Sequence, residues 1–129
     1  MSETGEIEGW RQMSEFTDVD LSRSFALSWH VESDVLFIDI DLCLAPEHPF
    51  YEKPRPAEKV CIRPAYIEFP FCGTLVVNGE TDGQLADIAR NIGHGAITGL
   101  RRLSDTRYEI SGEFGTVLLD AEAPLLRLK

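Results

Sequence analysis

From Val35 to Leu44 the chain reads V-L-F-I-D-I-D-L-C-L, with Leu36, Ile38, Ile40, Leu42 and Leu44 at every second position. Val35, Phe37, Asp39, Asp41 and Cys43 fill the alternate ones. A strand sends successive side chains to opposite faces, so this is one wholly apolar face backed by a mixed one. A helix would mingle Asp39 and Asp41 with the aliphatics. The segment predicts a strand whose apolar face is covered by a second layer.

The same period recurs from Ser24 to Glu32, where Phe25, Leu27, Trp29 and Val31 share one face and Ser24, Ser28, His30 and Glu32 the other. Ser33 and Asp34 separate the two runs, which predicts a β-hairpin. Pairing Glu32 with Val35 sets Val31 opposite Leu36, Trp29 opposite Ile38 and Leu27 opposite Ile40. Each of these pairs joins two large groups.

Before the hairpin, Met1 to Glu15 is a polar arm or short helix that docks through Trp10 and Met13. Phe16 to Leu21 reads as a short strand ending in a polar turn at Ser22 and Arg23. After the hairpin, Ala45 to Lys59 carries four prolines in fifteen residues, which excludes a helix or a central strand and leaves a loop pinned by Phe50 and Tyr51. Val60 to Phe71 resumes strand character, at an edge or bulged at Pro64, which has no N–H. Gly73 to Val77 is a short strand closed by an Asn78-Gly79 turn. Thr81 to Ile92 is the one helical window, with Thr81 or Asp82 as N-cap, Leu85, Ile88, Ala89 and Ile92 at helical spacing, and Gly93 at C′. Short strands follow at Ala96–Leu103, Arg107–Gly112, Thr116–Ala121 and Leu125–Leu128. The fold class expected is mainly β: an antiparallel β-sandwich or a strongly curved meander sheet with at most one short helix.

Composition narrows the classes of function. A chain of 129 residues fits one domain and buries roughly two thirds of its unfolded surface. The net charge of −10, from 22 acidic and 12 basic residues, disfavours nucleic acid and anionic membranes as partners. It suits solubility, or a protein partner with a basic surface drawn in by the field. Met1 to Glu15 holds four Glu and no apolar run, so no secretory leader is expected. Cys43, Cys61 and Cys72 lack C-x-x-C spacing, and reduced thiols in the cytoplasm are expected.

No P-loop, dinucleotide fingerprint, zinc-protease or nucleophile-elbow motif is present, and neither a cofactor nor a metal is expected. His48 stands beside Glu47 and near Tyr51 in the proline-rich loop, a set able to move protons or hold a ligand. The plainer reading is that His48 bonds the loop backbone while the aromatics anchor it. Asp39 and Asp41, two residues apart on a strand, share a face and can jointly meet a cation or a basic partner. Two carboxylates fall short of the 6–8 oxygens of a calcium site, and a solvated strand face is the plainer reading. Asp18 and Asp20 form a second such pair. His30 lies on a polar strand face, and His94 sits between Gly93 and Gly95. Arg101, Arg102 and Arg107 concentrate positive charge, to be paired internally or offered to an anion. A catalytic thiol needs a neighbouring His or cation, which nothing near the cysteines supplies.

The segments D-L-S-R-S-F-A-L-S-W (Asp20 to Trp29), A-P-E-H-P-F-Y-E-K-P (Ala45 to Pro54) and I-E-F-P (Ile67 to Pro70) resemble a group of small bacterial β-rich proteins of unknown function. The resemblance covers about the first half of the chain and implies a bacterial, cytoplasmic, single-domain protein, with no activity to carry over. In size, acidity and β content the chain also resembles the immunity proteins that neutralise bacterial toxins. Together these readings favour a non-enzymatic binding or interaction protein, immunity-like or regulatory, acting through its acidic surface around Asp39 and Asp41. The alternative is a small-molecule binder or enzyme centred on Glu47, His48 and Tyr51. Exposed edge strands also allow a homodimer.

Overall fold

The computed structural model describes residues 7–54, 56, 60–80 and 83–129. Nine strands form one antiparallel sheet: β1 (Glu8–Gly9), β2 (Val19–Glu32), β3 (Val35–Leu44), β4 (Cys61–Phe69), β5 (Thr74–Val77), β6 (Gly95–Arg102), β7 (Arg107–Gly112), β8 (Gly115–Asp120) and β9 (Leu125–Leu128). The spatial order is β5-β8-β7-β6-β2-β3-β4-β9, and β1 also pairs with β6. The sheet curls strongly. Phe69 on β4 packs against Tyr108 on β7 with ring centroids 5.3 Å apart, although three strands separate them in the order. Backbone bonds from Cys72 N to the Asp34 carbonyl (2.8 Å) and from Gly73 N to the Asp120 carbonyl (2.9 Å) tie the two wings together. This is the curved-sheet form of the expected antiparallel β architecture.

The apolar face of β3 is the floor of the core. Leu36, Ile38, Ile40, Leu42 and Leu44 are all buried, as alternation requires. Opposite them lie Leu100, Tyr108, Ile110, Val117 and Leu119 from the other wing. The hairpin turn places both Ser33 and Asp34 at positive φ, 50° and 63°, the paired left-handed conformation that matches the twist of the strands. Asn78 and Gly79 do the same at 53° and 84°, closing β5 onto Glu80.

The predicted register holds near the turn, with Glu32 opposite Val35, Val31 opposite Leu36 and Trp29 opposite Ile38. It fails at Leu27. Ala26 faces Ile40, Ser28 faces Asp39, and Leu27 has no opposite residue. One extra residue switches the faces of the residues just before it, so Ala26 and Ser24 turn inward while Phe25 and Leu27 turn out, 36% and 42% exposed. A second irregularity lies between Asp20 and Phe25. The strand therefore runs on through Ser22 and Arg23, where a turn was expected; of the strand expected over Phe16 to Leu21, Val19 to Leu21 belong to β2, while Phe16 ends a 3₁₀ turn, Ser14–Phe16. The irregularity between Asp20 and Phe25 has a physical cause. Ser24 donates its hydroxyl to the Asp20 carbonyl (2.8 Å) and accepts the Cys43 amide (3.0 Å), replacing ladder bonds that the shift removes.

The helix α1 is six residues, Leu85–Arg90, with Gln84 at its N-cap and Asn91 at its C-cap. It is shorter than the predicted window, and the expected caps Thr81 and Asp82 lie outside the described residues. Gly93 does not take up a left-handed cap; the left-handed glycines nearby are Gly83 and Gly95. Helix α1 packs on β2 and β5. The arm docks as expected, with Trp10 buried and Met13 against the core.

The sheet edges are blunted. Glu15 accepts the outward-facing Leu126 amide of β9 at 2.8 Å. Before Ala65 the β4 strand has no partner on β9, and there Pro64 accepts the Lys129 amide (3.0 Å) and has no N–H of its own to leave open. Among the described residues no helix is long and apolar enough to cross a membrane.

Candidate functional site

The outer face of β2, β3 and β4 carries the residues that the switch at Leu27 exposes. Along it His30 stacks on Phe37 (centroids 4.9 Å, planes 12° apart) and Phe37 meets the edge of Tyr66 (6.2 Å, 78°). Lys129 lies 4.5 Å above the Tyr66 ring and forms an ion pair with Asp39. Hydrogen bonding to Asp39 raises the Lys129 pKa, although this ammonium is at the surface. Asp39 is thus neutralised from within the chain.

Asp41 is different. Its register partners are Phe25 on β2 and Pro64 on β4, and it has no ion-pair partner among the described residues. A half-buried carboxylate between two apolar neighbours, with Leu27 further along the same face, makes a mixed acidic and apolar patch.

The proline-rich loop has a backbone role for His48. Its amide donates to Ala45 (3.0 Å), its carbonyl accepts Tyr51 N (3.0 Å), and its Nδ1 accepts Phe50 N (3.1 Å). An Nδ1 that accepts this bond leaves Nε2 as the ring nitrogen able to donate. Tyr51 packs against the core, and Glu47 is exposed. Glu47, His48 and Tyr51 are near one another in the chain, but no side-chain contact joins them among the described residues.

The other candidates divide in the same way. Asp20 accepts Ser22 N (3.0 Å) and pairs with Arg23 (3.5 Å), while Asp18 stands at a positive φ of 62° and its backbone carbonyl accepts the Ala45 amide (2.9 Å). Arg101, Arg102 and Arg107 meet Glu109, Asp105 and Asp120. His94 lies 6.2 Å from the Phe25 ring, at the border of the patch. Cys43 faces Ile62 while Cys61 faces Leu44, so the two thiols leave opposite faces of the sheet, and all three cysteines are free and buried. Burial pushes the Cys72 thiol up to about 11 and raises Cys43 as well. Among the described residues no three His, Cys, Asp or Glu side chains cluster closely enough to hold a metal ion.

Sequence reasoning missed the exposure of Phe25 and Leu27, because period-2 alternation carries no mark of a bulge. It also missed the Lys129–Asp39 pair, which joins residues 90 positions apart. Comparison of the chain with protein-family models, curated proteins and solved structures finds no match.

Proposed function

We propose that the protein is a non-enzymatic binding protein whose patch of Phe25, Leu27 and Asp41 meets a protein partner with a basic, partly apolar surface. The single observation that carries this reading is the outward turn of Phe25 and Leu27 beside Asp41, which has no ion-pair partner among the described residues. Contiguous exposed apolar groups rimmed by charge are the usual make-up of a docking surface. Charge supports the sign of the partner. Each of the seven described arginines from Arg23 to Arg127, and Lys129, meets a carboxylate, and the chain as a whole keeps a net charge of −10. Such a field speeds encounter with a basic partner and is screened by salt. An immunity-like or regulatory role is the biological form of this reading. Catalysis at His48 is less well supported, since its Nδ1 is already engaged by the loop.

The test compares wild-type protein with an F25S/L27S/D41N variant as baits in cross-linking affinity purification from the native host. A basic partner held by the wild type, released as salt rises and lost from the variant, is expected. Equal capture by both baits, or no salt-sensitive partner, rejects the reading.

A further inference from the structure

We propose that Asp39 and the ring of Tyr66 form a binding site for the ammonium of a partner's lysine, and that Lys129 of this chain occupies the site until the partner displaces it. The lysine is that of the basic partner inferred from the Phe25 patch, a reading on which its identity rests. Asp39 on β3 is directly opposite Tyr66 on β4, so carboxylate and ring stand side by side on the outer face. Phe37, two residues before Asp39, props the ring edge to face and is itself stacked by His30. A carboxylate beside a fixed aromatic face suits an ammonium, which draws on the charge of one and the quadrupole of the other.

The observation that points to a ligand is an ammonium already seated there. Lys129 Nζ lies 4.5 Å from the Tyr66 centroid and pairs with Asp39 Oδ1. That oxygen is closed off from water and meets no other polar group among the described residues. A buried carboxylate oxygen without a cation is costly, so the place demands one. Lys129 fills it without being locked in. Its side chain remains 34% exposed on a flexible stem, and its backbone is held separately, by the amide bond to the Pro64 carbonyl (3.0 Å). The ammonium can therefore leave while the ladder stays whole, and salt loosens such a pair.

The neighbours select the ligand. Arg127 stands directly opposite Tyr66 on β9, yet it turns to Glu68 (2.8 Å) and leaves the ring to Lys129. The place between ring and carboxylate thus holds the compact ammonium of a lysine and not the planar fork of an arginine. Asp41 lies two residues beyond Asp39 on the same face, opposite Phe25, so the site adjoins the patch. A partner docked on the patch presents its lysine at high effective concentration, which is how it outcompetes the tethered Lys129.

The experiment is an NMR titration of the whole chain, as wild type and as Lys129→Ala, with Nα-acetyl-lysine amide. Lys129→Gln replaces Lys129→Ala should that variant fail to fold. Saturable shifts at Phe37, Asp39 and Tyr66 are expected in Lys129→Ala, with Kd near or below about 10 mM. The wild type is expected to bind at least about threefold more weakly, because its own lysine competes. Added to Lys129→Ala, Asp39→Asn and Tyr66→Leu are each expected to weaken binding by at least about threefold. Asp39→Asn keeps the shape of the site and suffices if Tyr66→Leu does not fold. The Nε-acetylated lysine amide, which has the stem without the charge, is expected not to bind. No saturable binding to Lys129→Ala overturns the proposal, as does equal affinity in wild type and Lys129→Ala, or affinity unchanged by both added substitutions. Binding of Nα-acetyl-arginine amide as tight as that of the lysine amide overturns the assignment to lysine. The lysine amide has no surface for Phe25 and Leu27 to meet, so its failure strikes the site and leaves the patch standing. Equal capture by the wild-type and F25S/L27S/D41N baits does the reverse.

Discussion

The Ser24 hydroxyl accepts the Cys43 amide at 3.0 Å in the buried seam between β2 and β3. Ser24 is the one polar residue among those described that is buried with the core. It sits where β2 carries more residues than β3 can pair. Its hydroxyl does for the shifted ladder what a backbone carbonyl would otherwise do. Ser24→Ala leaves the Cys43 N–H buried and unpaired, and is expected to cost about 1–3 kcal/mol in urea denaturation. A cost under about 0.5 kcal/mol would mean that the seam relaxes or admits water.

The bulge at Leu27 makes a second expectation that inverts the plain alternation reading. Phe25→Ser and Leu27→Ser are expected to change stability by no more than about 0.5 kcal/mol each, being surface changes. Trp29→Ala, on the buried side, is expected to cost about 3–5 kcal/mol. Trp29 packs edge-on against Phe114 at 5.1 Å, and its indole N–H has no acceptor among the described residues. Trp29→Phe keeps part of the ring contact and removes that unpaired donor, so it is expected to cost less than Trp29→Ala. Thermal and urea unfolding of the four variants reads all of this directly.

Arg107, Asp120 and Thr74 occupy one row across β7, β8 and β5. Hydrogen bonds from Arg107 and then from Thr74 hold the Asp120 pKa below its ordinary value. A depressed folded-state pKa stabilises the fold above the unfolded value, near 3.8, and this contribution disappears as pH falls through the folded value. The stability gap between wild type and Asp120→Asn is therefore expected to be constant from pH 7 to 5 and to shrink below about pH 4. Melting curves at pH 7, 5 and 3 test the sign; a gap that widens in acid would contradict it.

All three thiols are buried, and burial raises the pKa of Cys43 and Cys72. Thiolate is the reactive form, so the native protein is expected to resist a disulfide-exchange reagent at pH 8 and to release three equivalents once unfolded. Rapid labelling of the native state would place a cysteine at the surface.

Gly115 has φ of +110°, and a Cβ there would lie 2.5 Å from the Asn78 side chain, which itself accepts the Thr116 amide at 2.9 Å. Gly115→Ala combines a strained backbone with displacement of that cap. It is expected to cost about 1–3 kcal/mol, read as a lowered urea midpoint.

The alternation from Leu36 to Leu44 was enough to determine β3, its buried face and, with Ser33-Asp34, the hairpin and its register as far as Trp29. Tight-turn chemistry did the same for β5, and β7 and β9 fall where local pattern places them, because period and turn residues act within a few positions. Tertiary structure decided what pattern cannot encode. A bulge costs one residue and leaves composition unchanged, yet it moved Phe25 and Leu27 from core to surface. The pairing of Asp39 with Lys129, and the seating of that ammonium over Tyr66, depend on strands far apart in the chain becoming neighbours. That adjacency is set by how the curled sheet closes over its common core, and no single segment contains it.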